Sequence, residues 1–141
     1  MGYMNKYLYK DTFVGQKEKF SVVITEEMTE KFMSITGDRN PLHQDESYAK
    51  EAGYTGKVVY GMLTASFLSS LVGMYLPGKY AVIHEVSFQL PFPVFIGDTL
   101  FIEGEVTEKN DTFRFIILKV VITNQSGKKV LRGTMRLGVL K

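Results

Sequence analysis

The chain has 141 residues, a length that fits one domain with a substantial buried core. Its apolar content of 45% and aromatic content of 13% exclude a disordered chain, and its formal net charge of +2 is too weak to indicate nucleic-acid binding. The absence of cysteine excludes disulfides, thiolate zinc sites and a cysteine nucleophile, and two histidines are too few for a histidine-rich metal site.

The sequence also indicates where the protein is found. Its N-terminal residues lack the apolar core of a signal peptide. The longest apolar stretch, residues 62–76, is too short to span a bilayer and contains several serines and a threonine. We therefore expect a cytoplasmic protein that does not enter a membrane.

The first quarter of the chain predicts a strand followed by a helix. The sequence Phe-Ser-Val-Val-Ile at residues 20–24 is typical of a strand. Thr25 is an N-cap candidate with two glutamates in the first turn after it, and Gly37 is positioned to end the helix. The apolar face of this helix is predicted to consist of Met28, Phe32 and Ile35.

The next segment, residues 36–43 (Thr-Gly-Asp-Arg-Asn-Pro-Leu-His), is the most informative in the sequence. It predicts a short, stiff loop, because Gly37 can take a positive φ and Pro41 restricts both itself and the residue before it. The loop presents Asp38 and His43, a carboxylate and an imidazole that can share one water in general acid–base chemistry. A purely structural interpretation stays open at this point, because aspartate is a common turn former.

Two further helices follow this loop. Asp45 is an N-cap candidate for a short helix that Gly53 ends. Gly61 then opens a longer helical run over residues 62–76, which Pro77 and the glycine after it end. The run is apolar on nearly all sides and contains many small residues, which favours a buried central helix.

The second half of the chain predicts strands at residues 80–90, 99–109, 112–124 and 129–140. In the first of these, His84 alternates with apolar residues on one face and is expected to be buried and hydrogen-bonded. The prolines of residues 91–93 (Pro-Phe-Pro) must interrupt the sheet. Together the elements predict an α+β protein in which an antiparallel sheet wraps a long central helix.

Three blocks of the sequence carry a more specific signal: residues 36–49 (Thr-Gly-Asp-x-Asn-Pro-Leu-His-x-Asp-x-x-x-Ala), 59–66 (Val-Tyr-Gly-Met-Leu-Thr-Ala-Ser) and 93–100 (Pro-Val-Phe-Ile-Gly-Asp-Thr-Leu). Their order and spacing resemble the MaoC-like dehydratase family, which includes the (R)-specific enoyl-CoA hydratases. The resemblance implies a single hotdog-fold domain over residues 1–141, with a curved antiparallel sheet around the helix. It also implies a homodimer, since hotdog domains usually pair edge to edge. The final strands are long, β-branched and poorly protected by edge charges, so we expect them to form the pairing edge.

The family's chemistry is reversible addition of water to a trans-2-enoyl thioester, which gives an (R)-3-hydroxyacyl product. The resemblance therefore implies a hydro-lyase of fatty-acid metabolism that acts on an enoyl-CoA or enoyl-acyl-carrier-protein thioester, with no metal and no redox cofactor. Asp38 and His43 would be its catalytic pair. Two other functions stay open: a hotdog acyl-CoA thioesterase and a non-catalytic acyl-CoA-binding module.

Three further residues are candidates for substrate binding. Gly61 lies at the start of the central helix, where unpaired N–H groups would bind the thioester carbonyl, although a glycine that only permits a sharp helix start explains it equally well. Ser69 matches a serine that the family places beside the catalytic pair, and Asn40 occupies a motif position where it can also hold the turn. The sequence departs from the family at Tyr60, where many relatives have histidine, and at residues 91–93, where relatives often carry one proline.

Overall fold

The computed structural model describes residues 3–141, so the first two residues of the predicted 1–141 domain lie outside the described residues. Five strands form one antiparallel sheet in the order β1-β3-β4-β5-β2. The strands are β1 (Lys17–Val23), β2 (Ala81–Gln89), β3 (Thr99–Asn110), β4 (Phe115–Thr123) and β5 (Lys129–Val139). The helices between β1 and β2 are α1 (Glu26–Thr36), α2 (Pro41–Gln44), α3 (Glu46–Glu51) and α4 (Gly61–Ser70).

The helix α4 lies against the sheet and is the predicted central helix. A π-helical turn over Leu71–Tyr75 continues it. Leu71 packs onto β3 where a glycine leaves room, since a Cβ on Gly104 would lie 3.0 Å from Leu71 Cδ2. The predicted α+β architecture is therefore confirmed, and within residues 3–141 no helix is long and apolar enough to cross a membrane.

Two details of the central helix differ from the prediction. Its regular α-helical part ends at Ser70, and only the π-helical turn extends the helix to Tyr75. The helix is also not buried on all sides: Met62 is 61% exposed, and Ser66 and Ser69 are exposed as well. The reason is that the sheet covers one side of α4, and the small polar residues occupy the opposite side.

The interior face of the sheet follows the predicted alternation in β3 and β4. Apolar residues alternate with half-buried or exposed ones along both strands. The fully buried side chains of this face are Leu100, Ile102, Val106, Ile116, Leu118, Val120 and Ile122. Burial of so many large aliphatic side chains stabilises the fold, at about 1.5–3 kcal/mol for each before the entropy costs of folding.

The alternation predicted for β2 is wrong at the start of the strand. The register of β2 against β5 shifts between Ile83 and Glu85, so a bulge reverses which residues share a face. As a result Ile83 and Val86 line the same cavity. His84 is exposed rather than buried, and its ring lies over Gly138, where a Cβ would be 2.7 Å from His84 Cε1.

The free edges of the sheet are β1 and β2. The sequence predicts that the long final strands form the pairing edge of a dimer, and that prediction is wrong. Strand β4 is flanked by β3 and β5, and β5 is flanked by β4 and β2. The final strand therefore fills the interior of the sheet, while β2 pairs on one side only and exposes Val82, Ile83 and Val86.

Helix α1 begins and ends as predicted. The Oγ1 of Thr25 accepts a hydrogen bond from the N–H of Met28 (3.3 Å), and Gly37 ends the helix with φ +74°. Phe32 is half-buried and packs against the core. Ile35, however, is 83% exposed, because nothing in the described part of the chain covers the last turn on that side. Ile35 is therefore not part of the buried apolar face that the sequence predicts for α1.

Candidate active site

The segment between α1 and α2 is held by a series of hydrogen bonds between side chains and backbone. Thr36 Oγ1 accepts from the N–H of Asp38 (3.2 Å), and Asp38 Oδ1 accepts from the N–H of Asn40 (3.0 Å). Asn40 Oδ1 then accepts from the N–H of Leu42 (3.0 Å) and caps α2. The predicted loop is thus shorter than expected, because His43 lies on a helical turn.

The tautomer of His43 is fixed by one contact. Its Nδ1 lies 2.6 Å from the carbonyl oxygen of Val58. A carbonyl can only accept, so Nδ1 carries the ring proton and Nε2 of the neutral ring has a free lone pair. The ring also packs against Tyr60, with 4.2 Å between ring centroids. The imidazole is therefore oriented with one nitrogen available to exchange a proton.

Tyr60 connects the two halves of the predicted catalytic pair. It is 2% exposed, and its hydroxyl donates to the carbonyl oxygen of Asp38 (2.5 Å) and accepts from Gln44 Nε2 (2.8 Å). Its ring also contacts the ring of His43. The sequence alone marks this tyrosine only as a departure from relatives. An amphipathic aromatic side chain directly before the central helix was the signal that could have found it.

One apolar cavity of about 730 Å³ brings most of the candidate residues together. Asp38 and His43 lie on its wall near the start of α4, and no hydrogen bond joins their side chains within residues 3–141. Ser69 lines the cavity further along the helix, whereas Asn40 does not line it. The other lining residues of α4 are Gly61, Met62, Ala65, Ser66 and Leu68, and those of β2 are Ile83, Val86 and Phe88.

The N-terminus of α4 opens beside these two side chains. The carbonyl oxygen of Tyr60 accepts from the N–H groups of Leu63 (3.0 Å) and Thr64 (3.2 Å). The N–H groups of Gly61 and Met62 have no acceptor in the described part of the chain. Free N–H groups at a helix start carry partial positive charge and suit a ligand oxygen that gains negative charge.

Gly61 also has a packing role. A Cβ at this position would lie 2.6 Å from Cδ1 of Leu90, which follows the end of β2. Leu90 therefore rests directly on the glycine. The packing interpretation of Gly61 and the functional one are both compatible with this geometry, and they make different predictions for variants.

No set of metal ligands is evident in residues 3–141, where no three histidine, cysteine, aspartate or glutamate side chains gather closely enough to share an ion. The expectation of a reaction without metal or redox cofactor stays a prediction.

Comparison with known proteins places these residues in a wider context. The family model of the MaoC like domain matches residues 10–129. The (R)-specific enoyl-CoA hydratase of Aeromonas caviae is 34% identical over 120 residues, which cover 85% of this chain and 90% of that protein. The enzyme of the same name from Rhodospirillum rubrum is 31% identical over 127 residues, 90% of this chain and 88% of that protein.

A solved structure gives the same result for the fold. The unliganded R-hydratase of Pseudomonas aeruginosa superposes with a TM-score of 0.91 at 29% sequence identity. The match covers 98% of this chain and 88% of that chain. The similarity thus extends over the whole sheet, the central helix and the segment that carries Asp38 and His43.

Proposed function

Since the chain belongs to the MaoC-like domain family, we propose that it is an (R)-specific 2-enoyl-thioester hydratase, a hydro-lyase that adds water reversibly to a trans-2-enoyl thioester. The predicted hotdog fold is confirmed by its structural neighbours. The observation that carries the proposal is the shared cavity: Asp38, His43 and the free N–H groups of α4 meet at one end of an apolar space. That arrangement matches an apolar acyl chain whose reactive end is a thioester.

In the proposed mechanism, Asp38 and His43 hold one water between the Asp38 carboxylate and Nε2 of His43. One of the two groups removes a proton from the water as its oxygen bonds to C3 of the enoyl group. The proton taken from the water is then returned from this group to C2, so both new bonds form on one face of the double bond and both groups regain their starting protonation. The hydrogen bonds of Tyr60 to Asp38 and Gln44 support this proposal, because they hold the two groups in a fixed relation.

The thioester oxygen gains negative charge as water adds to C3, and the start of α4 can stabilise it. We place this oxygen near the free N–H groups of Gly61 and Met62. A preorganised donor in such a position typically contributes about 3–4 kcal/mol of transition-state stabilisation. Asn40 supports the site indirectly in this proposal, since its side chain caps α2.

A direct assay tests the function. With crotonyl-CoA as substrate, a hydratase removes the absorbance of the conjugated enoyl thioester without releasing free thiol. Release of thiol would instead identify a thioesterase, and saturable binding without turnover would identify a binding module. A series of longer enoyl-CoA substrates then gives the chain-length preference.

The acyl chain is proposed to run along α4 from Gly61 towards Ser69. We expect Ser66→Leu and Ala65→Leu to shorten the longest chain that is accepted, because both residues line the cavity beside the proposed path. The rate ratio of 2-octenoyl-CoA to crotonyl-CoA measures this effect, and crotonyl-CoA serves as the internal control. We expect the ratio to fall by about tenfold, as the loss of a few buried methylenes allows. Unchanged ratios in both variants would contradict this path.

The protein is proposed to form a homodimer through the free edge of β2. This strand pairs only with β5 and exposes Val82, Ile83 and Val86, and the last two of these line the cavity beside α4. An unprotected apolar edge favours pairing with a second copy.

A cytoplasmic location stays a prediction.

Sedimentation equilibrium tests the dimer. We expect a dimer for the parent protein and at least about tenfold weaker association for Val82→Lys, since a charge placed at the pairing edge would lose its hydration. Val23→Lys is the matched control, because Val23 is exposed on β1 at the other edge of the sheet. A parent protein that is monomeric at all concentrations, or equal weakening by both lysines, would contradict pairing through β2.

A further inference from the structure

A second cavity, of about 260 Å³, lies next to the one that holds the proposed acyl chain. The two cavities share His43, Gly61 and Leu90. The second extends away from them between Thr64 on α4 and residues 91–94, the segment that contains the unusual Pro-Phe-Pro sequence. The proposed position of the thioester carbonyl is thus a junction from which two separate cavities diverge.

Thr64 is the unusual residue in the wall of the second cavity. It is 1% exposed, and its Oγ1 is the one buried side-chain polar atom without a hydrogen-bond partner in residues 3–141. Burying an unpaired hydroxyl destabilises a protein, and valine would fill the same volume without that cost. An unpaired hydroxyl in the wall of a cavity can bind a ligand that supplies the missing partner.

Leu90 lines both cavities beside this part of the helix. Gly61 and Thr64 are three residues apart and therefore lie on one face of α4. Leu90 packs on that face at Gly61 and is 43% exposed, so its side chain can turn outward without disturbing the core. Such a rotation would connect the two cavities and uncover the face that carries the Thr64 hydroxyl.

We propose that the second cavity holds the thiol-side arm of the substrate, and that the Thr64 hydroxyl binds the first amide of that arm. The inference rests on the proposed function. A thioester has two arms that diverge from its carbonyl, and the acyl arm occupies the larger cavity. Coenzyme A and acyl carrier proteins both present the other arm as a chain of uncharged amides, and a hydroxyl can donate to or accept from an amide.

The mouth of the second cavity fits this assignment. Phe92 lines it, and the Nζ of Lys128 lies 5.2 Å from the centre of the Phe92 ring. The amide-bearing arm ends in phosphate in both carriers, so a cation at the mouth suits the end of the arm. The apolar walls of the cavity suit the methylene groups of the arm, and Thr64 provides the polar contact for its first amide.

The test compares two small thioesters, of which only one carries the amide. S-crotonyl-N-acetylcysteamine carries the first amide of the arm, and S-propyl crotonate lacks it. We expect Thr64→Val to lower kcat/KM for the amide-bearing thioester and for crotonyl-CoA by about 3–10-fold, the effect of one net hydrogen bond, mainly through KM. S-propyl crotonate should react with the variant as with the parent.

Thr64→Ser is the matched control, because it keeps the hydroxyl and loses only a methyl group. It should retain the parent's preference for the amide-bearing thioester. We also expect the melting temperature of Thr64→Val to equal or exceed that of the parent, since valine removes an unpaired buried hydroxyl. Equal loss for both small thioesters, or loss for neither, would overturn the assignment.

A binding measurement separates this inference from the proposed function. The Kd of butyryl-CoA, measured by calorimetry, should be about 3–10-fold higher for Thr64→Val than for the parent and for Thr64→Ser. That result without any turnover by the parent would retain the cavity assignment and reject the hydratase function. Equal Kd values in all three proteins would reject the assignment, whatever the turnover. Rates on crotonyl-CoA and crotonyl-acyl-carrier-protein then identify which carrier supplies the arm.

Discussion

Asp38→Asn and His43→Gln are each expected to lower kcat for crotonyl-CoA hydration by about 10²–10⁴-fold, the range typical of general acid–base groups. Asparagine keeps the oxygen that accepts from the N–H of Asn40 but lacks a basic carboxylate. Glutamine keeps a donor for the Val58 carbonyl but cannot exchange a proton near neutral pH. Both variants should therefore fold like the parent, so hydration rate and melting temperature must be measured together.

The double variant provides a sharper test of a shared water. Since both groups serve the same step, the double variant should lose far less than the product of the two single losses. Asp45→Asn is the matched control, because it removes a motif carboxylate that caps α3 and does not line the cavity. Its activity should stay close to that of the parent, since asparagine is an equally good cap. Near-parent activity of a normally folded Asp38→Asn or His43→Gln would reject the mechanism.

Local signals in the sequence predicted the helix termini well. Thr25 and Asp45 both cap helices as expected, and Gly37 takes the positive φ that ends α1. These features depend on a few neighbouring residues, so the sequence contains all the information they require. The motif around Asp38 and His43 could be recognised for the same reason, because its residues lie close together in the chain.

Features that depend on strand neighbours could not be predicted in the same way. The bulge between Ile83 and Glu85 is a property of the pairing between β2 and β5, so the alternation of apolar and polar residues in the sequence does not predict it. The sheet order likewise places the long final strand inside the sheet, although its sequence resembles an edge available for pairing. His84 was assigned to the wrong environment because the bulge changes the face on which it lies.

The site residues that sequence reasoning missed or underrated act across distances in the chain. Tyr60 bonds the backbone of Asp38, which is 22 residues away. Leu90 packs on Gly61 from the end of β2. No sequence motif predicts either contact, because each one depends on how α4, α2 and β2 pack together. Such contacts become visible only when the elements are placed in space.

Substitution of Gly61 distinguishes its proposed role in substrate binding from its role in packing against Leu90. We expect Gly61→Ala to lower kcat/KM by about 10²-fold, because an added methyl group would displace the thioester carbonyl from the free N–H groups by about 1 Å. The substitution keeps the N–H of residue 61, so the loss reports the approach of the substrate and not a missing donor. The fold should tolerate it, since the nearest atom, Cδ1 of Leu90, is the end of a flexible side chain.

The double variant Gly61→Ala/Leu90→Ala decides between packing and catalysis, with Leu90→Ala alone as its reference. Removing the Leu90 side chain eliminates the 2.6 Å contact but leaves the methyl group in the path of the substrate. If Gly61 is needed for the substrate, the double variant stays about 10²-fold below Leu90→Ala in kcat/KM. If the glycine only makes room for Leu90, the double variant reaches the activity of Leu90→Ala, and the proposed position of the thioester carbonyl is wrong. Melting temperatures distinguish either result from a folding defect, because a displaced α4 would lower stability as well as activity.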